Sequence, residues 1–217
     1  MNGILNRAAG TPRPEAVRGF EKIQRYWDPA TERWTAKILP GEYYVTREEE
    51  TVSTVLGSCI SACIRDPATG VGGMNHFMLP EDNGSSNGSW NKADGGASTR
   101  YGSYAMESMI NELLKLGARR ERFEVKLFGG GRILPSMTDV GNRNISFVLS
   151  FLKVEGLKVA AQDMGDVYPR RVVYFPESGR VLLKHLRAVE SKVVASSELS
   201  YRDSLGTRTD GNDVELF

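Results

Sequence analysis

The segment from Thr51 to Pro80 places the tightest constraint on the fold. It contains two runs of small, β-branched and apolar residues, Thr51–Ile64 and Val71–Leu79, separated by the turn-forming sequence Asp66–Gly70 (DPATG). Because β-branched residues favour strands and such turns connect neighbouring strands, we predict a β-hairpin here. Gly57 interrupts the first run and predicts a bend or bulge within it.

Helical and strand patterns alternate irregularly along the rest of the chain. Apolar residues recur at helical spacing in Tyr101–Leu116 and Val140–Glu155, and in a shorter segment, Glu15–Trp27. The elements lack the strict alternation of a doubly wound sheet, so we predict an α+β fold. Further strands are predicted at Ala36–Tyr44 (broken by a Pro-Gly turn), Phe123–Phe128, Leu157–Gln162, Arg171–Phe175 and Val181–Leu186.

The chain divides into a folded centre and two looser ends. We predict an N-terminal extension over residues 1–35, partly disordered with a short helix. A catalytic domain follows over residues 36–188, and residues 189–217, rich in Ser, Asp and Thr, form a flexible C-terminal tail. Within the domain, the polar Gly/Asn/Ser-rich segment Pro80–Gly96 has the composition of a long lid or binding loop.

The composition indicates which cellular compartment the chain suits and which classes of partner it disfavours. Lys and Arg total 28 and Asp and Glu total 27 among 217 residues. This balance argues against nonspecific nucleic-acid binding, which needs an excess of positive charge. We find no signal-peptide pattern and no membrane-length apolar run. With two cysteines, the chain lacks a disulfide framework, so we expect a cytoplasmic protein with reduced thiols.

The same hairpin carries a candidate catalytic pair. Cys59 follows the Gly57-Ser58 bend, and His76 follows a Gly-Gly pair on the second strand. Across a hairpin these side chains can lie near each other, and an imidazole beside a thiol gives the thiolate–imidazolium pair that attacks carbonyl carbon. A hydroxyl on Ser53, or alternatively on Thr54, is expected to orient the imidazole.

Simpler interpretations exist for each of these residues. A lone cysteine in a β-branched run is commonly a buried small hydrophobe, and we expect that of Cys63. A zinc site of Cys59, Cys63 and His76 lacks a nearby fourth ligand, because the other histidine, His185, is distant and suits a strand surface. The Gly129–Gly131 run matches a tight turn or close backbone contact better than a phosphate loop. We therefore predict no metal and no cofactor.

Several linked motifs resemble one family, the chemoreceptor glutamine deamidases (CheD). Together they cover roughly residues 37–186 in the order expected for that family. They are Leu56–Cys59 (LGSC), Ala62–Pro67 (ACIRDP), Gly72–Pro80 (GGMNHFMLP), Lys37–Val45 (KILPGEYYV), Arg100–Ala118 (RYGSYAMESMINELLKLGA), Lys126–Gly131 (KLFGGG) and Val140–Asn144 (VGNRN).

The resemblance implies a fold, an activity and partners. It implies a β-sandwich-like core with helices packed outside, as in toxin-type glutamine deamidases. It implies that Cys59 and His76 hydrolyse glutamine side chains of methyl-accepting chemotaxis receptors to glutamate, releasing ammonia. Ser53 stands six positions before the cysteine, where some members carry the third catalytic residue, Thr. Contact with the membrane would be indirect, through the receptors, and a CheC-type CheY-phosphate phosphatase would be a further partner.

Two other functions compete with the deamidase. The first is a regulatory interaction protein that binds chemoreceptors or a CheC-type phosphatase and acts by occupying them. Pure binding does not require an intact Cys59 and His76, so the pair favours an enzyme. A cysteine peptidase would need a groove for extended backbone, which the sequence does not reveal.

Overall fold

The computed structural model describes residues 11–79, 97–133 and 140–209. Within them lie ten strands and three α-helices. The strands are β1 (Gln24–Asp28), β2 (Arg33–Lys37), β3 (Tyr43–Thr46), β4 (Thr51–Leu56), β5 (Ile60–Arg65), β6 (Gly72–Asn75), β7 (Glu124–Gly129), β8 (Val159–Met164), β9 (Arg170–Tyr174) and β10 (Val181–His185). The helices are α1 (Ala97–Lys115), α2 (Val140–Val154) and α3 (Ala188–Thr209).

The described strands form two five-stranded sheets. One has the order β1-β2-β4-β9-β10 and the other the order β3-β6-β5-β7-β8. Neighbouring strands are antiparallel except β2–β4 and β7–β8, which are parallel. Strands β4 and β5 follow each other in the chain but belong to different sheets, so the bend at Gly57–Cys59 carries the chain from one sheet to the other.

One hydrophobic core joins the two sheets and the first two helices. It contains Val52 and Tyr174 from the first sheet and Ile60 and Leu127 from the second. Helix α1 contacts β3, β5 and β6, and α2 contacts β5 and α1. Strand β5 is almost wholly buried, because it lies at the centre of its sheet beneath these helices. The α+β class and the sheet core with helices outside are confirmed.

The predicted hairpin is present as β5 and β6. Cys63 pairs with Met74 and Ile64 with Gly73 across an antiparallel ladder. Both long helices and the strands predicted after residue 120 are found within a few residues of their expected positions. The segment Pro80–Gly96 lies outside the described residues. Among the described residues, we find no helix that is both long and apolar enough to cross a membrane.

Two expectations about the ends of the chain are wrong. The short helix predicted at Glu15–Trp27 is replaced by a turn and strand β1; its aromatic residues face other partners, with Trp27 edge-on to Trp34 of β2. The flexible tail expected from residue 189 is instead largely helix α3. Helix α3 escaped detection because a charged residue, Glu198, lies on its buried face. The domain boundaries at residues 35/36 and 188/189 stay a prediction.

Candidate active site

The bend at residues 57–59 joins the two sheets, and the N–H groups on one side of it face a small cluster of buried side chains. Strand β4 ends at Leu56, and Gly57 and Ser58 turn the chain before Cys59 leads into β5. Ile60 and Phe77 exchange two backbone hydrogen bonds of 2.9 Å, which extends the β5–β6 ladder beyond β6. That extension brings His76 beside Cys59, and both side chains are essentially inaccessible to solvent.

The hydrogen bonds of Thr54 fix the tautomer of His76. The Thr54 hydroxyl donates to the Ile38 carbonyl at 2.9 Å and lies 2.8 Å from His76 Nδ1. A threonine hydroxyl has a single hydrogen, so its oxygen must accept a hydrogen bond from Nδ1–H. The other ring nitrogen, Nε2, is then unprotonated, and it is buried without a hydrogen-bond partner. Nε2 is therefore free to receive the thiol proton.

The structure places Thr54, not Ser53, against the imidazole. Adjacent residues of a regular strand project to opposite faces, so only one of the two hydroxyls reaches His76. Ser53 and Cys59 are six positions apart, so in one continuous strand their side chains would project from the same face. The Gly57-Ser58 bend ends β4 before Cys59, so that relation does not hold. The expectation for Ser53 is corrected in position, and Thr54 becomes the candidate orienting residue.

Three consecutive peptide N–H groups of the bend converge on one carboxylate. Glu198 of α3 accepts hydrogen bonds from the N–H groups of Gly57 at 2.8 Å, Ser58 at 2.7 Å and Cys59 at 3.3 Å. The Ser58 hydroxyl adds a fourth at 2.7 Å. Converging N–H groups beside a nucleophile can stabilise the oxyanion of a tetrahedral intermediate.

The opposite edge of the same three peptides is anchored in the fold. The carbonyls of Gly57 and Cys59 accept hydrogen bonds from the N–H groups of Gly131 and Gly130, each at 2.7 Å. The Ser58 carbonyl accepts one from Asn144 Nδ2 at 2.8 Å. With all three carbonyls held, the N–H groups keep their direction towards the site, as preorganised stabilisation requires.

The Gly129–Gly131 run serves close backbone contact, as predicted. Gly129 has φ of +110°, and a Cβ there would lie 2.1 Å from the Cys59 carbonyl oxygen. Gly130 also has a positive φ, +68°. Any side chain at Gly129 would push β7 away from the bend, so this run sets how closely the bend is anchored.

Burial keeps both catalytic candidates neutral in this state. It raises the pKa of the Cys59 thiol well above its ordinary value, and the neighbouring negative charge of Glu198 and a hydrogen bond with it raise it further. Burial lowers the pKa of His76 to about 3. Burial therefore disfavours the expected thiolate–imidazolium pair in this arrangement.

Among the described residues, Cys59, His76 and Glu198 also form a group of donors that could hold a metal ion. One ligand atom from each lies within 4.8 Å of the others. Both oxygens of Glu198, however, already accept hydrogen bonds from the bend. The set fits a catalytic pair beside a hydrogen-bonded carboxylate better than a metal centre, which would have to displace those bonds.

The remaining candidates lie away from this cluster. Cys63 is buried in β5, opposite Met74 and Lys126, and burial raises its pKa as well. Its position is that of a core residue. His185 lies at the end of β10, half-exposed and 3.5 Å from Asp163, stacked on Tyr168. Neither residue reaches the bend.

Known proteins resemble this chain over most of its length. A protein named probable chemoreceptor glutamine deamidase CheD from Hydrogenovibrio crunogenus is 52% identical over 195 residues, 90% of this chain and all of the relative. This chain belongs to the CheD family. Proteins of the same name from Halorhodospira halophila (49% over 211 residues, 97% of each chain) and Hahella chejuensis (45% over 221 residues, 98% of this chain and all of the relative) are also similar. The family description "CheD chemotactic sensory transduction" matches residues 78–185.

Sequence reasoning missed two residues of this CheD-family site. The sequence motif that contains Asn144 does not single it out, although its side chain donates to the Ser58 carbonyl and accepts from the Leu79 N–H at 2.9 Å. An asparagine on the buried face of a helix was the available signal, since a buried amide needs specific partners. Glu198 had no such local signal, because its partners lie about 140 positions earlier in the chain.

Proposed function

We propose that this protein is a protein-glutamine deamidase that converts glutamine side chains of methyl-accepting chemotaxis receptors to glutamate and releases ammonia. Its relatives are named probable chemoreceptor glutamine deamidases, which supplies the reaction and the substrate class. The observation that carries the proposal is the unprotonated, unpartnered Nε2 of His76 beside Cys59, next to three convergent N–H groups.

The first half of the reaction forms a thioester. His76 Nε2 takes the proton of the Cys59 thiol as sulfur attacks the carboxamide carbon of the substrate glutamine. Electrons of the C=O bond move to oxygen, and the N–H groups of the 57–59 bend stabilise this oxyanion. When the oxyanion collapses, His76 gives its proton to the departing amide nitrogen, which leaves as ammonia.

The second half releases glutamate. A water molecule attacks the thioester carbon and gives a proton to His76 Nε2. Collapse of this second tetrahedral intermediate expels the Cys59 sulfur, which recovers the proton from the imidazole. Throughout, Thr54 keeps Nδ1–H engaged, so that Nε2 always faces the reacting atoms. No metal or cofactor takes part in this scheme.

The proposed substrate also bears on where the protein acts and on its partners. The receptors are its substrates, so contact with the membrane would be indirect, and the reduced, buried Cys59 suits the cytoplasm. A CheC-type CheY-phosphate phosphatase remains a proposed partner. Either partner would have to reach the 57–59 bend to affect the reaction directly.

Receptor fragments provide the test. Wild-type protein should convert receptor glutamine to glutamate, measured by peptide mass spectrometry and by ammonia release. Cys59→Ala should retain less than about 1% of that activity, because loss of a covalent nucleophile costs several orders of magnitude. Cys63→Ala is the matched control and should keep most activity. Full activity in Cys59→Ala would refute the proposed nucleophile.

A further inference from the structure

Helix α3 occupies a place that the proposed mechanism needs to be empty. Its Glu198 carboxylate takes all three N–H groups of the 57–59 bend and the Ser58 hydroxyl. In the mechanism, the carbonyl oxygen of the substrate glutamine accepts from the same N–H groups. Glu198 and a substrate glutamine therefore cannot be bound at the same time.

We infer that α3 is an intramolecular inhibitor whose Glu198 occupies the binding position of the substrate glutamine side chain. The inference rests on the proposed deamidase function. Receptor glutamine enters only after α3 has moved away from the bend, so α3 sets how much of the protein is competent for substrate at any time.

The chemistry of glutamate suits this inhibitory role. Glutamate is the product of glutamine deamidation, so its side chain matches the substrate in length and shape. A carboxylate accepts hydrogen bonds at both oxygens, whereas a carboxamide has one acceptor oxygen and a donor NH2 group. Four donors at the bend therefore fit Glu198 better than unreacted glutamine. A carboxylate carbon resists attack by sulfur, so Glu198 is not consumed.

Glu198 also acts on the nucleophile through its charge. The pKa of Cys59 is raised first by burial and then by the negative charge and hydrogen bonding of Glu198. A carboxylate within 4.8 Å of the sulfur opposes formation of a thiolate. When α3 leaves, both causes weaken together, because water reaches the site and the charge departs. The helix thus blocks the site and keeps the thiol protonated.

The packing of α3 is light enough for the helix to detach. Among the side chains of α3 that the structure describes, Ala195 and Leu205 are buried, and Leu199 and Tyr201 are half-buried against the core. The Tyr201 hydroxyl also shares a hydrogen bond with the Tyr101 hydroxyl of α1. Val193 on the same helix is 67% exposed. Segments with few buried apolar contacts open at lower free energy than the core does. The hydrogen bonds of Glu198 therefore supply much of the attachment near the site.

Alkylation of Cys59 by iodoacetamide tests the inference without any receptor. In the full-length protein, Glu198→Ala should speed the labelling of Cys59 roughly 10-fold or more, since the site opens and the thiol ionises more readily. The matched control is Asp203→Ala, because Asp203 lies on the same helix with its side chain 70% exposed. It should react at the wild-type rate.

Cys63 reports folding in the same experiment. It is fully buried in the core, so peptide-resolved mass spectrometry should find it unlabelled whenever the fold is intact. If Glu198→Ala exposes Cys63 as well, Leu205→Ala decides, because it weakens α3 away from the bend. If Cys59 is labelled at the wild-type rate in folded Glu198→Ala, or in Leu205→Ala where that variant has to decide, the inference is overturned.

Receptor assays separate this inference from the proposed function. Glu198→Ala should deamidate receptor fragments faster than wild type. If receptors are deamidated but Cys59 labelling never changes, the inhibitory role fails and the deamidase stands. If labelling changes but receptor glutamines stay intact, α3 still covers the site and the proposed reaction fails.

Discussion

The floor and the cover of the site are held in different ways. The floor, the bend of residues 57–59, is anchored at every carbonyl by Gly130, Gly131 and Asn144. The cover, helix α3, is attached to the bend through Glu198. Its other described attachments are a few apolar side chains and the hydrogen bond between the Tyr201 and Tyr101 hydroxyls. The anchoring of the floor supports the oxyanion site that we propose there, and the lighter attachment of the cover supports the movement that we infer for it.

Breaking the floor should have the largest effect. Gly129→Ala would place a Cβ 2.1 Å from the Cys59 carbonyl oxygen at a residue with φ of +110°. We expect a loss of several kcal/mol in the free energy of unfolding, on the order of 3 or more, and no measurable deamidation. Urea unfolding and receptor-fragment assays measure both.

Gly156→Ala is the matched control for Gly129→Ala. Gly156 also has a positive φ, +67°, but a Cβ there would meet no atom within 4 Å. It should cost about 1–2 kcal/mol from backbone strain alone and leave the activity largely unchanged. Similar losses for both variants would mean that strain, and not contact with the bend, explains the requirement for Gly129.

The orienting hydroxyl should have the next largest effect. Thr54→Ala removes the acceptor for His76 Nδ1–H, so kcat/KM should fall by about 10- to 1000-fold. Thr54→Ser keeps a hydroxyl and should restore most of that loss. Ser53→Ala should change kcat/KM little. A collapse in Ser53→Ala with full activity in Thr54→Ala would return the role to Ser53.

The burial of His76 should have a smaller effect, on the free energy of unfolding at acid pH. Burial lowers the pKa of His76 from 6.5 to about 3, so between these pH values the unfolded chain binds a proton there that the folded chain does not. His76 therefore makes its full contribution to the free energy of unfolding above pH 6.5. That contribution decreases by about 1.4 kcal/mol per pH unit as the pH falls from 6.5 towards 3.

Urea titrations at several pH values isolate this contribution. His76→Gln should show a flatter decline of unfolding free energy below pH 6.5 than wild type does. An unchanged slope in His76→Gln would mean that His76 is protonated in the folded protein.

The same contrast explains what the sequence could predict. The parts of the floor on β5 and its hairpin partner follow from local patterns: the Gly57 bend, the DPATG turn and the spacing of Cys59 and His76. The choice between Ser53 and Thr54 depends on how the chain turns at Gly57, which strand periodicity alone does not determine. The cover was missed because α3 has a narrow apolar face, and the partners of Glu198 are distant in the chain.

The most direct test uses Glu198→Gln and asks whether Cys59 converts the introduced glutamine to glutamate. Such a conversion would show that the floor and the cover together form a binding site for a glutamine side chain. With that carboxamide held at the 57–59 bend, Cys59 should deamidate it within its own chain. Peptide mass spectrometry of the purified variant should then find glutamate restored at position 198, and a double variant, Cys59→Ala with Glu198→Gln, should retain the introduced glutamine. An intact glutamine at this position in both proteins would contradict the claim that Glu198 marks the substrate position.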